Sequence, residues 1–325
     1  MLKGQTNLQR RQLGNTDMHI TTVGFGAWAL GGGDWVYAWG PQDDRESIAA
    51  IHHALDLGIN WIDTAAGYGL GHSEEVVGQA LTGMSERPFI FTKCSLPWNE
   101  RGEINSSLKR ASIRRECEDS LRRLKLDAID LYQIHWPRPE PDLEEGWTTL
   151  AELQREGKVR WIGVSNYSVA QMQQAEAIAP ISSLQPPYSL IRPEVENEIL
   201  PYCQEHNIGV IVYSPMYSGL LSGKMTAERI KNMPADDWRQ RDSEFQMPRL
   251  EQNLRLVSVL TEIGKQHGVE PGAVAIAWTL QNSAVTAAIV GARRPSQVDG
   301  ILPAAAIQLS SQEIEQLKSM ISVKS

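Results

Sequence analysis

Cysteine is nearly missing from this chain: Cys94, Cys117 and Cys203 are the only three in 325 residues, unevenly spaced and with no Cys-x-x-Cys pair. That scarcity indicates neither a disulfide framework nor a zinc site, and the three read as buried thiols. An excess of basic residues is also lacking. Lys and Arg number 31 against 39 Asp and Glu, so the net charge is -8 and the pI about 5.5. Such a balance opposes the counterion-release binding that attaches proteins to nucleic acid or anionic lipid. No run is long and apolar enough to span a bilayer, and the start, MLKGQTNLQRRQLG, has basic residues without the apolar core of a signal peptide. The expectation is a cytoplasmic protein with no nucleic-acid partner and no membrane, acting on small molecules. Phenylalanine is scarce too, four against ten tryptophans, which suggests a pocket lined by large flat side chains. With 42% hydrophobic and 22% charged residues the remainder is ordinary, with ample material for a core.

Short apolar runs at 20–26, 60–63, 89–93, 130–135, 160–166, 182–185, 209–214 and 287–291 read as eight strands. Helix-like segments at 44–57, 73–81, 107–124, 143–155, 168–178, 193–206 and 252–266 alternate with them. Asp43 begins a possible capping box with Glu46, and Gly58 and Gly157 stand where the residue just past a helix belongs. Alternating units with right-handed crossovers form either an open doubly wound sheet or a closed eightfold barrel, and eight units favour the barrel. Gly24-Phe25-Gly26-Ala27-Trp28-Ala29 matches a relaxed dinucleotide fingerprint, with Asp44 and Glu46 at about ribose distance. The context fails, because the chain continues through Gly31, Gly32, Gly33, Asp34 and Trp35 as a loop rather than opening a helix on the pyrophosphate.

In barrels the phosphate site most often lies in the loops after the seventh and eighth strands. The first of these contains Tyr213, Ser214, Pro215, Met216, Tyr217, Ser218, Gly219 and, a little later, Lys224. Its small residues let backbone N–H groups approach a pyrophosphate, with Lys224 adding charge. The second, Gly291-Ala292-Arg293-Arg294-Pro295-Ser296-Gln297, brings two guanidinium groups to a helix start, which suits a phosphomonoester.

Four polar residues at or just beyond strand ends complete the pattern: Asp63 and Tyr68 in IDTAAGYGLGHSEEVVG, Lys93 in FTK and His135 in QIHWP. Further strings follow in order, IGVSN with Ser165 and Asn166, SSLQPPYS with Gln185, YSPMYSGLLSGK and VGARRPSQ. Across nearly the whole chain this order resembles the aldo-keto reductase family. The resemblance implies an α/β fold, a (β/α)8 TIM barrel over residues 1–325 as one domain. Residues 11–21, turning at Gly14-Asn15-Thr16-Asp17, form the N-terminal β-hairpin that closes the barrel bottom in relatives. It also implies an NADPH-dependent oxidoreductase that passes hydride to an aldehyde or ketone, reversibly oxidising alcohols.

Chemically, the alkoxide formed as hydride reaches a carbonyl needs a proton donor at neutral pH. Tyr68 is the candidate general acid; an adjacent ammonium, Lys93, is expected to lower its pKa from about 10. Asp63 would hold Lys93 and balance its charge, and His135 would align the carbonyl by a hydrogen bond. The resemblance assigns Ser165, Asn166 and Gln185 to the nicotinamide carboxamide and Tyr213 to one nicotinamide face, with Trp28 near the same ring. It assigns Arg293, helped by Arg294, to the adenosine 2′-phosphate, and Gln297 to the adenosine end. Gly300 and Ile301 stand where relatives commonly have an acidic residue and an asparagine for adenine. No metal is expected.

Trp35, Trp98 and Trp136 follow strand ends and are the candidate substrate pocket, suited to a hydrophobic or aromatic carbonyl. The polar stretch 226–246 is either a lid over cofactor or a plain loop. Two other readings stay open: an NADP(H)-binding regulatory subunit of a membrane channel-type complex, and a barrel hydrolase or isomerase acting on phosphate compounds. The oligomeric state is not legible.

Overall fold

The computed structural model describes residues 8–33, 35–233 and 237–322. Asp34 in the glycine-rich loop and 234–236 in the polar stretch lie outside the described residues, as do both chain ends. Strands β1 (Arg10–Gln12) and β2 (His19–Thr21) pair antiparallel as a hairpin. The next eight close a parallel barrel: β3 (Val23–Gly26), β4 (Trp61–Asp63), β5 (Phe89–Cys94), β6 (Ile129–Ile134), β7 (Val159–Ser165), β8 (Ser183–Gln185), β9 (Gly209–Val212) and β10 (Val285–Gly291). Each strand bonds its sequence neighbour, and β10 returns to β3. Between and after them run α1 (Asp44–Asp56), α2 (His72–Ala80), α3 (Arg110–Leu124), α4 (Leu143–Arg155), α5 (Val169–Glu176), α6 (Ile199–Glu205), α7 (Ala227–Lys231), α8 (Arg249–His267), α9 (Pro271–Leu280), α10 (Pro295–Ile301) and α11 (Ser311–Ser322). This is the expected (β/α)8 TIM barrel. No helix among the described residues is long and apolar enough to cross a membrane.

The local signals explain most boundaries. Asp43 caps α1 by accepting from the N–H groups of Arg45 and Glu46, and Gly58 and Gly157 follow α1 and α4 with φ of +97° and +77°. The run expected as one strand at 20–26 is instead broken at Thr22, with its first part in the hairpin and its second in the barrel. Leu13, Met18 and Ile20 of the hairpin pack with Trp61, Phe91, Leu131, Ile211 and Ala287 inside the barrel, all fully buried. Each of the buried Leu, Ile, Met and Phe side chains contributes roughly 1.5–3 kcal/mol. The hairpin thereby closes one end, and the functional groups are left to the other.

Gly24 lies in β3, not in a phosphate loop; a Cβ there would sit 2.0 Å from the Trp61 ring. Its role is close packing, which is why the dinucleotide fingerprint misleads. After β3 the chain makes a short 3-10 turn, Trp28–Gly31, rather than the start of a long helix. There the backbones of Gly31 and Gly69 meet so closely that a Cβ on Gly69 would lie 2.1 Å from the Gly31 carbonyl oxygen. That contact fixes the turn carrying Tyr68 against the turn carrying Trp28.

Behind β5, the buried Glu116 of α3 accepts from the Leu96 N–H at 3.2 Å and from Ser112 Oγ at 3.1 Å, tying the loop after Lys93 to the helix. Burial raises its carboxyl from the ordinary 4.5 to about 7. The unfolded chain gives up this proton first, so stability declines as pH rises across that window. Glu116→Gln should remove the decline, a gain on the order of 3 kcal/mol above neutrality. Thermal melting at about pH 5 and about pH 8 checks it: the variant should gain several degrees at the higher pH and little at the lower. Equal melting of the two proteins at both values would show that the carboxyl is not held protonated.

Candidate active site

The ends of six adjacent strands, β4 to β9, bring the expected polar residues into one hydrogen-bonded group. Asp63 ends β4 and Lys93 lies near the end of β5; both are buried. Lys93 Nζ donates to Asp63 Oδ2 at 2.6 Å, to the Thr64 carbonyl at 2.8 Å and to the Tyr68 hydroxyl at 3.3 Å. Gln185, ending β8, donates from Nε2 to Asp63 Oδ1 at 2.9 Å. His135 follows β6, and its ring meets the Tyr68 ring edge-on at 5.6 Å. Next to it, Asn166 Nδ2 donates to the His135 carbonyl at 3.0 Å and to Ser165 Oγ at 3.0 Å, while the Tyr213 hydroxyl donates to Asn166 Oδ1 at 2.9 Å. Ser165 Oγ in turn donates to the Gln185 carbonyl at 2.8 Å.

Electrostatics modify one expectation. Burial, reinforced by the Asp63 carboxylate, pushes the Tyr68 phenol well above its usual 10, so the depression expected from Lys93 is not found. Burial is the main reason, and the 2.6 Å ion pair leaves it unopposed: beside Asp63 the ammonium has little net field left to stabilise a phenolate. Burial draws Asp63 up and Lys93 down from their ordinary values, and each partner pulls the other back. Burial and the Lys93 charge lower His135 well below 6.5, so its imidazole is neutral at physiological pH. The site therefore presents two neutral groups able to donate a proton or a hydrogen bond, above an internally balanced pair.

The aromatic surroundings are organised by Trp28. Its ring lies 6.1 Å from Tyr68, 6.4 Å from Trp35, 5.5 Å from Trp39 and 6.4 Å from Trp238. Trp35 thus joins Tyr68, whereas Trp98 packs under Arg123 and Trp136 under Arg138. Trp39 and Trp238 escaped the sequence reading although they lie in the connections after β3 and β9, because each stands far along its loop. Their signal was the tryptophan excess itself. The indole N–H groups of Trp28, Trp39 and Trp238 are buried and meet no acceptor among the described residues.

The turn after β9 suits an anion. Ser214 has φ of +55°, and Tyr217, Ser218 and Gly219 follow with +45°, +53° and +89°, a run of left-handed residues of the kind that gathers backbone N–H groups into a concavity. Pro215 is buried, Met216 packs against Gly272, and Lys224 is exposed. The described part of 226–246 is ordered into α7 and two 3-10 turns, Trp238–Arg241 and Ser243–Phe245. Arg239 Nη1 donates to the Ser218 carbonyl at 3.3 Å, and its guanidinium covers the Trp39 ring at 5.0 Å.

At the end of β10, Gly291 pairs with Gly26. Arg293 is half-buried and already occupied: Nε donates to Gln42 Oε1 at 2.6 Å, Nη2 to the Pro41 carbonyl and Nη1 to the Trp39 carbonyl at 3.4 Å. Gln297 Oε1 accepts from the Arg293 N–H at 2.7 Å. Arg294 is exposed. The residues present thus fit a dinucleotide at the β9 turn, while Asn166, Gln185 and Arg293 would each have to exchange partners to reach one.

A parallel eightfold barrel with its polar cluster gathered at the carboxyl ends of the strands is the architecture of the barrel enzymes. The chain belongs to the aldo/keto reductase family, whose family model matches residues 22–322. It is 37% identical over 317 residues to the aldo-keto reductase YhdN of Bacillus subtilis, covering 97% of this chain and 94% of that one. To the NADH-specific methylglyoxal reductase of Escherichia coli it is 33% identical over 332 residues, with 96% and 98% covered. The glycerol dehydrogenase structure from Gluconobacter oxydans superposes with a TM-score of 0.88 at 38% identity, covering 97% of this chain and 95% of that one. Membership makes this protein an oxidoreductase acting on small carbonyl compounds with a nicotinamide cofactor.

Proposed function

We propose that the protein, as one barrel domain, reduces an aldehyde or ketone with NADPH, and that Tyr68 is the proton donor. One observation carries this reading: the Tyr68 hydroxyl lies 3.3 Å from Lys93 Nζ, itself 2.6 Å from Asp63, with the His135 ring alongside. When bound, the nicotinamide supplies the hydride. The chain's own groups do the rest. Tyr68 stays protonated at every physiological pH, and an alkoxide is a stronger base than any phenolate, so the proton moves downhill once hydride has transferred. Lys93 holds the phenol oxygen in place and Asp63 holds Lys93. His135, neutral, donates a hydrogen bond that orients the carbonyl. Asn166, Ser165 and Gln185 would hold the carboxamide, Tyr213 one ring face, the β9 turn the pyrophosphate, and Arg293 with Gln297 the adenosine end.

The wall of Trp28, Trp35, Trp39 and Tyr68 supports a substrate with a flat or apolar face. A second substrate reading rests on the three buried indole N–H groups that meet no acceptor among the described residues, which suit a compound rich in acceptor oxygens. The names of the methylglyoxal and glycerol relatives agree with it. Nothing found supports the channel-subunit alternative. Oxidation of NADPH and NADH with matched aliphatic, aromatic and hydroxylated aldehydes tests the proposal. Turnover on at least one class is expected. Tight cofactor binding with no turnover on any would defeat it, and the preferred class decides between the two substrate readings.

A further inference from the structure

Arg293 is the best-placed group for a ribose 2′-phosphate, yet its side-on fork is already filled by other parts of the same chain. Nε and Nη2 are the pair of donors that meets a phosphate or carboxylate edge-on, and here they reach Gln42 Oε1 and the Pro41 carbonyl. Gln42 is anchored in return, since its Nε2 donates to the Arg293 carbonyl at 2.9 Å and to Ser47 Oγ at 3.0 Å. The neighbourhood is one that an anion would relieve: Arg239 and Arg294 act on Arg293 as like charges, with Glu46 opposing them. Arg239 also covers Trp39, the residue whose carbonyl accepts from Arg293 Nη1 and whose ring packs on Trp28. Three loops, after β3, β9 and β10, therefore meet on the segment from Trp39 to Gln42.

We propose that Gln42 sets the cofactor preference: it occupies the face of Arg293 that a 2′-phosphate requires, so NADPH binds only as Gln42 is displaced, while NADH binds without that exchange. This rests on the reading of Arg293 as the 2′-phosphate contact. Discrimination in favour of NADPH is then narrower than a free arginine would provide. Because Trp39 belongs to the same clasp, the exchange also loosens one panel of the aromatic wall when NADPH binds.

Direct binding, followed by tryptophan fluorescence quenching with NADPH and NADH and by competition with 2′,5′-ADP against 5′-AMP, tests this without turnover. Gln42→Ala should tighten NADPH and 2′,5′-ADP by about tenfold, the scale of one hydrogen bond to a charged group, and change NADH and 5′-AMP less than about twofold. Gln42→Glu should do the reverse, because its carboxylate pairs with Arg293 more firmly than the amide does. Arg293→Ala should weaken NADPH selectively and abolish the effect of either Gln42 change. If Arg293→Ala is selective but neither Gln42 variant alters the NADPH-to-NADH ratio, the clasp proposal alone is overturned. If Arg293→Ala weakens both cofactors equally, the 2′-phosphate reading falls and takes this inference with it. Thermal melting of each variant separates these results from a loss of fold.

Discussion

Tyr68→Phe is expected to lower kcat by roughly 10²–10⁴, the range for loss of a general acid, while leaving cofactor affinity nearly unchanged. Phenylalanine keeps the ring that meets Trp28, Trp35 and His135. What it removes is the hydroxyl 3.3 Å from Lys93 Nζ. No neighbour replaces that proton readily. Lys93 Nζ already donates to Asp63 and the Thr64 carbonyl, and His135 is neutral, a hydrogen-bond donor rather than a strong acid. Single-turnover reduction at saturating NADPH and aldehyde isolates the step. The raised phenol pKa adds a signature: reduction by the wild type should stay flat across neutral pH, with no fall attributable to Tyr68 losing its proton near 7. Turnover by the phenylalanine variant equal to wild type would remove Tyr68 from its assigned place.

The fold was legible because parallel strands buried on both faces read as short apolar runs, and the eight runs matched the eight barrel strands. The misses have separate causes. Helix α9, with every residue from Pro271 to Leu280 buried, has no polar face and so no 3.6-residue period to find. The run at 20–26 looked continuous because hydropathy does not register the turn at Thr22, where the chain leaves the hairpin for the barrel. In the site, residues at strand ends were readable because the barrel dictates where those ends converge: Asp63, Lys93, His135, Asn166 and Gln185 all meet. Loop residues were not, since nothing local dictates that Gln42 reaches Arg293, 251 positions away, or that Trp238 reaches Trp28. Charge compensation was half legible. The Asp63–Lys93 pair was expected, but not its consequence that the pair screens Lys93 from Tyr68.

Lys93→Met should be the most damaging substitution for the folded state as well as for turnover. Methionine fills the space of the stem but leaves Asp63 buried with a charge and only neutral side-chain amides, those of Gln185 and Gln133 among the described residues, to meet it. Breaking one side of a buried ion pair costs about 3–5 kcal/mol, a fall in melting temperature on the order of 10 °C. The pH dependence identifies the cause. Burial already raises Asp63 above 3.8 with Lys93 present, and without the ammonium it rises further. A carboxyl whose folded pKa is raised loses stability as pH climbs above its unfolded value. The gap between variant and wild type should therefore be smallest in acid and widen toward neutrality. Adding Asp63→Leu should close much of that gap at neutral pH, because a well-packed apolar pair often replaces a buried ion pair at little loss. The double variant should still fail to reduce aldehydes, since nothing then holds the Tyr68 hydroxyl. A gap independent of pH, or a double variant less stable than Lys93→Met alone, would show that the two residues do not act as one balanced unit.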